Sequence, residues 1–316
     1  MRIAIDAMGG DQGFIPIVEG VKLFLEKCED TEILLVGEKR KLEQKFDFSK
    51  PEFNSLSLIE GEGSVDMHIS PSEAVKTKKN STISVGLKLL KQQQCDAFIS
   101  AGNTGVIMAF ALLILGRQKN IHRPALACFL PTLKEPSLLI DVGANVDCKP
   151  VNLFQFGIMG SIYYSKLLDV EKPTIGTLSI GEEPTKGNEQ ILKAAKLFQN
   201  SSLNYQGNIE GDDILLGKTN IVVTDGFIGN ILLKFGERML EVILKLAGGS
   251  VKLPSEIKNK FSSDAYGAVP LLGVNGVVFV GHGKSSANAI KNALQSVRKT
   301  YLKDVQHCIA EFMEGI

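Results

Sequence analysis

Short apolar runs alternate along this chain with longer stretches in which apolar residues recur every three or four positions. Runs of about four to seven residues read as strands, and recurrence at three and four reads as helix. Strands are expected at 2–7, 31–36, 56–59 and 97–99, with helices at 15–28, 39–46, 81–94 and from 106 to 115. Pro71 suits a first helical position, and Ser70 suits its cap. Further on, 125–130 and 137–141 form two strands separated by Pro131 and Pro136, a spacing that predicts a hairpin. A helix over 151–168, a strand over 174–180, a helix over 189–199, a strand over 221–224 and a helix over 228–246 follow. Residues 248–263 break the rhythm, and 277–280 and 285–301 supply a last strand and helix. This alternation predicts a layered α/β/α fold with a largely parallel, mixed sheet. Ligands of such sheets lie beyond the carboxyl ends of the strands.

Those ends are where polar residues and glycine gather. Ala97-Phe98-Ile99 runs into Ser100-Ala101-Gly102-Asn103-Thr104-Gly105, and a helical period begins at Val106. Four other strand ends share the design: Asp6 to Asp11, Asp141 to Asn145, Thr224 to Asn230, and Gly281 to Ser286. Glycine lets backbone approach a ligand, and a helix start offers unpaired N–H groups to an anion. The repetition points to one polar site built from several loops.

Charge narrows the partners. The 316 residues carry 35 basic and 35 acidic side chains, a net charge of zero. That argues against a general nucleic-acid-binding surface. Cys28, Cys95, Cys128, Cys148 and Cys308 are scattered without a CxxC pair, as in a reduced cytosolic protein. The first apolar run is too short for a signal peptide, and no stretch has the length of a spanning helix.

The candidate chemistry is that of a donor-rich site. Gly-His-Gly-Lys-Ser-Ser at 281–286 places His282, Lys284, Ser285 and Ser286 at a helix start, suited to phosphate, but the P-loop spacing is absent. Lys186 and Asn188 flank Gly187 before another helix. Asp6 with Asp11, Asp141 with Asn145, and Asp225 with Asn230 bracket glycine turns. Each aspartate either orients a lysine, accepts a proton, or caps a helix. No nucleophile elbow, metal-ligand cluster or GxGxxG turn occurs, so no metal and no cofactor is expected. Such a site suits a reaction in which an anionic substrate attacks and the protein orients it, as when phosphate attacks an activated acyl group.

Ile-Asp-Ala-Met-Gly-Gly-Asp at 5–11, Ser-Ala-Gly-Asn-Thr-Gly at 100–105, Asp-Val-Gly-Ala-Asn at 141–145, Lys-Gly-Asn-Glu at 186–189, Thr-Asp-Gly-Phe-Ile-Gly-Asn at 224–230 and Gly-His-Gly at 281–283 occur in this order. Together they resemble the bacterial phosphate acyltransferases of phospholipid synthesis. The resemblance spans nearly the whole chain and implies a single domain over 1–316 with a helical insertion at about 238–266. It implies transfer of a fatty acyl group from acyl-(acyl carrier protein) to inorganic phosphate, giving acyl phosphate. It further implies a fold similar to the isocitrate and isopropylmalate dehydrogenases and to phosphotransacetylase, a homodimer, and peripheral contact of a cytoplasmic protein with the membrane. A downstream glycerol-3-phosphate acyltransferase is the implied consumer of the product.

Carried onto this chain, the resemblance gives Lys186 the phosphate or the developing oxyanion. Asn230 takes a hydrogen bond to phosphate or acyl carbonyl, and Asp225 orients Lys186 or a nearby donor. Asn103, Thr104, Asn145, His282 and Ser285 complete the pocket, with Asp11, Asp141, Asn188, Lys284 and Ser286 as further binding candidates. Two departures stand out. Gln12 follows Asp11 where the family commonly has histidine. The segment from about Arg238 to Tyr266 is abbreviated: Leu240, Val242, Ile243, Leu244 and Leu246 precede Gly248-Gly249 and the basic Lys252, Lys258 and Lys260. It reads either as a membrane-contacting amphipathic hairpin or as a dimer-packing helix with a solvated loop. Acidic carrier protein calls for a local basic patch. Arg117, Lys119, His122 and Arg123 form one cluster and Lys76, Lys78 and Lys79 another, each equally readable as a solvated face. The competing functions are a phosphotransacetylase-like transfer from a short acyl-coenzyme A and a non-catalytic lipid-synthesis scaffold.

Overall fold

The computed structural model describes residues 1–246 and 267–315. The chain opens with β1 (Arg2–Asp6), α1 (Ile15–Leu25), β2 (Glu32–Gly37), α2 (Lys39–Glu43), β3 (Leu56–Glu60), α3 (Pro71–Thr77), α4 (Thr82–Lys91), β4 (Ala97–Ser100) and α5 (Thr104–Ile114). Next come β5 (Ala125–Leu130), β6 (Ser137–Ile140), α6 (Pro150–Leu168), β7 (Ile175–Leu178), α7 (Glu189–Gln199), β8 (Tyr205–Ile209), α8 (Gly211–Leu216), β9 (Ile221–Val223) and α9 (Gly226–Leu246). Beyond residue 266 lie β10 (Ala268–Leu272), β11 (Val277–Gly281), α10 (Ala287–Leu302) and α11 (Val305–Glu314). Much of the expected helical insertion, with Gly248, Gly249, Lys252, Lys258 and Lys260, lies outside the described residues.

By contacts the chain divides into two compact units, residues 1–118 with 266–306, and residues 119–265 with 307–316. In the first unit the strand order is β3-β2-β1-β4-β11-β10, parallel except for β10 against β11. Side chains alternate across this sheet. Ile3, Ile5, Ala97 and Ile99 join Phe24 of α1 and Ile290, Leu294 and Val297 of α10 in one buried cluster. Phe98 points the other way and packs on α4, where a Cβ on Gly86 would stand 2.2 Å from its ring. Helices therefore cover both faces, and strands buried on both sides read as nearly continuous apolar runs.

In the second unit the order is β5-β6-β9-β7-β8. The predicted hairpin is present: β5 and β6 are antiparallel, with Ala127 opposite Ile140. The other pairs are parallel. α6 and α7 pack together, and Gly157 and Gly160 of α6 admit Phe198 of α7 and Ile221 and Ile140 of the sheet. Among the described residues no helix is long and apolar enough to cross a membrane.

Among the described residues, two strands and two α-helices go beyond the expected set. β8 reads Tyr-Gln-Gly-Asn-Ile, too polar and glycine-broken to signal a strand, and pairs with β7. β10 contains Pro270, which lacks an N–H for a ladder and so masks the strand. α8 has six residues, too few for periodicity to show. α11 follows α10 after only Lys303 and Asp304, beyond the end of the helix expected over 285–301.

The α1–α10 contact is tight enough to test. A Cβ on Gly20 would stand 2.6 Å from the backbone oxygen of Ala287 and 2.5 Å from Ile290. Backbone cannot rotate aside, so Gly20→Ala is expected to destabilise the first unit by about 1–3 kcal/mol through overpacking. Urea unfolding followed by circular dichroism measures this, and an unchanged midpoint would contradict the packing described.

Candidate active site

The first unit ends three neighbouring parallel strands, β1, β4 and β11, at one edge, and a polar loop leaves each. Asp6, the last residue of β1, is 1% exposed. Its carboxylate accepts from the N–H groups of Met8 (2.9 Å) and Gly9 (3.0 Å) and from the Ser100 hydroxyl (2.6 Å). Ser100 in turn accepts from Gly102 N–H at 3.0 Å. Burial raises the Asp6 pKa, and these donors pull it back. The carboxylate thus ties the first loop to the one after β4. The third loop joins through Asp11 N–H, which donates to Gly283 O at 2.7 Å.

Several predicted residues of this unit spend their polar groups inside it. Asn103 caps α5 by accepting from Val106 N–H, and its amide donates to Met67 O at 2.8 Å. The Ser285 hydroxyl donates to His282 O at 2.6 Å, and Ser286 caps α10 through Ala289 N–H at 3.1 Å. His282 accepts from Lys284 N–H at Nδ1, 3.1 Å, so a neutral ring carries its proton on Nε2. Thr104, the Asp11 carboxylate and the Lys284 ammonium have no described side-chain partner. Asp11 rests where a Cβ on Gly283 would be, 2.9 Å away.

The second unit repeats the plan. β6, β9 and β7 are neighbours and parallel, so the loops carrying Asp141–Asn145, Asp225–Asn230 and Lys186–Asn188 leave one edge. Asp141 has no exposed surface. It accepts five hydrogen bonds, from Leu126, Gly143, Ala144 and Asn145 N–H and from the Asn145 amide, at 2.8–3.3 Å. Burial raises its pKa against the pull of these donors. Asn145 also donates to Pro124 O at 2.8 Å. Gly229 lets α9 reach this turn, because a Cβ there would lie 1.9 Å from Asp141 O. Asp225 caps α9, accepting from Ile228 N–H at 2.9 Å; it bonds there and not to the Lys186 ammonium. Asn230, exposed, lies against the Gly143 turn, with Oδ1 3.6 Å from where a Gly143 Cβ would stand.

Lys186 rides on the loop between β7 and α7. Gly187 holds φ +115°, and a Cβ there would meet the Ser179 hydroxyl at 2.8 Å. Asn188 caps α7, accepting from Ile191 N–H at 3.0 Å. Lys218 engages Glu182 (2.5 Å) and Asp213 (3.1 Å) beside the loop. No described residue pairs with the Lys186 ammonium or bonds the Asn230 amide.

Residues 1–307 match the family described as "Fatty acid synthesis protein". A protein of Salinibacter ruber named phosphate acyltransferase is 42% identical over 99% of this chain and 98% of its own length. The chain belongs to the phosphate acyltransferase family. Its fold is shared more widely. A phosphotransacetylase of Streptococcus pyogenes superposes with a TM-score of 0.65 at 18% identity, covering 96% of this chain and 94% of that one. A 4-hydroxythreonine-4-phosphate dehydrogenase described as putative, from Salmonella typhimurium, gives 0.55 at 12% identity, covering 94% and 98%. The layered α/β fold expected from the sequence is the one observed.

For a chain of the phosphate acyltransferase family, the division among these polar groups matters. Asp141, Asn145, Asp225, Asn188, Asn103, Ser285 and Ser286 have polar atoms committed to loops and caps. Lys186, Asn230, Asp11, Lys284 and Thr104 have side-chain polar atoms with no described side-chain partner. Asn208, which lies in the unpredicted β8, contributes without any sequence signal, whereas Ser100 opens the motif at 100–105 but has no side-chain role there until its bond to Asp6 is seen. Cys148 borders the second-unit turn, but burial first, then Asp141 and Asp225, pushes its thiol up to about 12, so it is no ready nucleophile. Among the described residues no three His, Cys, Asp or Glu side chains gather as a metal site.

Asp141 offers a pH test. A carboxylate whose folded-state pKa is raised contributes most below its unfolded value of about 3.9 and loses that contribution as pH rises through the folded value. Asp141→Asn removes the titration. The stability of the unsubstituted protein relative to this variant should therefore widen from about pH 8 down to about pH 4. Urea unfolding at both pH values measures it, and a gap that narrows toward acid would reverse the assignment.

Proposed function

We propose that this protein transfers a fatty acyl group from acyl-(acyl carrier protein) to inorganic phosphate, forming acyl phosphate for phospholipid synthesis. A phosphate oxygen attacks the thioester carbonyl carbon, the C–S bond breaks, and the carrier thiolate leaves and takes up a proton. The attacking group is already anionic, so the protein's tasks are to place it, offset its charge and stabilise the oxyanion. Lys186 supplies charge to phosphate or oxyanion, and the Asn230 amide supplies a hydrogen bond. The observation that carries this reading is an ammonium with no described partner, held at the carboxyl edge of parallel strands in a chain of the phosphate acyltransferase family. In the first unit the loops around Asn103, His282 and Ser285 carry further substrate-binding candidates, and the product passes to a glycerol-3-phosphate acyltransferase.

The reaction is followed by release of the carrier thiol from a long-chain acyl-(acyl carrier protein) with and without phosphate. Release should require phosphate, and Lys186→Ala should lower it at least tenfold, about 1.4 kcal/mol of barrier. No release from folded protein at several chain lengths would sink the reading. Turnover of short acyl-coenzyme A alone would favour the phosphotransacetylase-like alternative.

The working form is a homodimer in the cytoplasm, in peripheral contact with the membrane. What supports the dimer is α9, where Phe227, Ile231, Phe235 and Ile243 are 52–61% exposed and recur at multiples of four. That spacing makes an oblique apolar ridge that winds about the helix, which a second copy would cover. Light scattering should give twice the chain mass for the protein and the chain mass for Ile231→Asp/Phe235→Asp. A dimer unaffected by the double substitution would place the interface elsewhere.

A further inference from the structure

The loop that bears Lys186 is exposed and has few backbone ties of its own. One is a turn, in which Lys186 N–H donates to Glu183 O at 3.0 Å. Beneath that turn stands Asn208 of β8, 6% exposed. Its amide nitrogen donates to Glu183 O and to Lys186 O, both at 3.0 Å. The two protons of one amide thus bracket the turn, holding its first and last carbonyls to the neighbouring strand.

The orientation of that amide is set from behind. The Thr177 hydroxyl of β7 donates to Asn208 Oδ1 at 3.0 Å. A hydroxyl has a single proton, so the 2.7 Å contact between Thr177 and Tyr205 must run with the Tyr205 hydroxyl as donor. Tyr205 itself stacks on Phe198 of α7, with ring centroids 5.0 Å apart. The direction of donation is therefore fixed from Tyr205 through Thr177 to Asn208, and it leaves both amide protons facing the loop. Were the amide reversed, its oxygen would face two carbonyls and its nitrogen would face a donor. A buried chain of this kind is rigid because each member is satisfied in one arrangement only.

We propose that Asn208 is a positioning residue of the phosphate site: it holds the Lys186 turn to β8 and so sets where the Lys186 ammonium meets phosphate. The proposal rests on the reading of Lys186 given above. Asn208 is buried and its amide is taken up by Thr177 and the turn, so its effect passes through Lys186.

The test uses the full chain and four variants: Asn208→Ala, Lys186→Ala, the two combined, and Thr177→Val, which keeps the shape of Thr177 and removes its hydroxyl. Thiol release is measured against phosphate concentration, and protection by inorganic phosphate against thermal unfolding gives a readout free of turnover. Asn208→Ala should lower kcat/KM for phosphate about tenfold and weaken the thermal protection. The double variant should be no slower than Lys186→Ala alone, as for residues acting through one group. Thr177→Val should show the same loss in smaller degree, and Thr177→Ser should restore it. Losses that multiply in the double variant would mean a general structural role and overturn the proposal. So would an Asn208→Ala enzyme with unchanged phosphate dependence while Lys186→Ala is impaired. An unimpaired Lys186→Ala would remove Lys186 from the reaction, and the proposal with it. Should Asn208→Ala not fold, Thr177→Val and its serine counterpart decide the matter alone.

Discussion

Each unit hangs its polar loops on a carboxylate buried at the end of a strand. Asp6 gathers two backbone N–H groups and the Ser100 hydroxyl; Asp141 gathers four N–H groups and an amide. Tight glycine turns turn their N–H groups inward, away from water, and a buried N–H without an acceptor costs about 1–3 kcal/mol. A carboxylate with two oxygens can take several such donors at once, which no neutral side chain of that size matches. Burying the charge is itself unfavourable, and the raised pKa of both groups records that cost. The compensation is a set of loops with defined positions.

That arrangement separates two kinds of polar residue that look alike in composition. Asn103, Asn145, Asn188 and Asp225 hold backbone, and their side chains close helix starts and turns. Lys186 and Asn230 are carried by the same loops, and no described residue partners the ammonium of the one or the amide of the other. An ammonium on an exposed loop is useful to an anionic substrate only if the loop is held, since each ångström of misplacement weakens both charge and orientation. Asn208 bonds the turn itself, while the cap at Asn188 and the Lys218–Glu182 ion pair tie the chain on either side of it.

The loops themselves were plain in the sequence. Glycine, aspartate and asparagine at the ends of apolar runs mark strand-to-turn transitions by their backbone chemistry, and the motifs around Lys186 and Asn230 stand out by spacing. Asn208 was invisible because β8 offers no alternation, and a lone asparagine beside glycine looks like part of a turn. Ser100 stood in a legible motif, but its bond to Asp6 joins residues 94 positions apart and leaves no local mark. Pro270 concealed β10 by a rule that holds for most strands. Asp225 could be read as orienting Lys186 or a nearby donor, as a proton acceptor or as a helix cap; its carboxylate caps α9, a choice that spacing alone does not make.

The sequence by itself determined the layered α/β fold, the order of nearly all its strands and helices, the polar strand ends and the family. Periodicity and turn chemistry are local properties, and the motifs are contiguous, so both survive in one dimension. Only the tertiary structure decided which polar side chains are consumed by the scaffold and which remain available. That distinction depends on hydrogen bonds between residues far apart in the chain, such as Ser100 to Asp6 and Asn208 to Lys186. Such bonds are set by strand order and register, and neither is written in the spacing of any one motif.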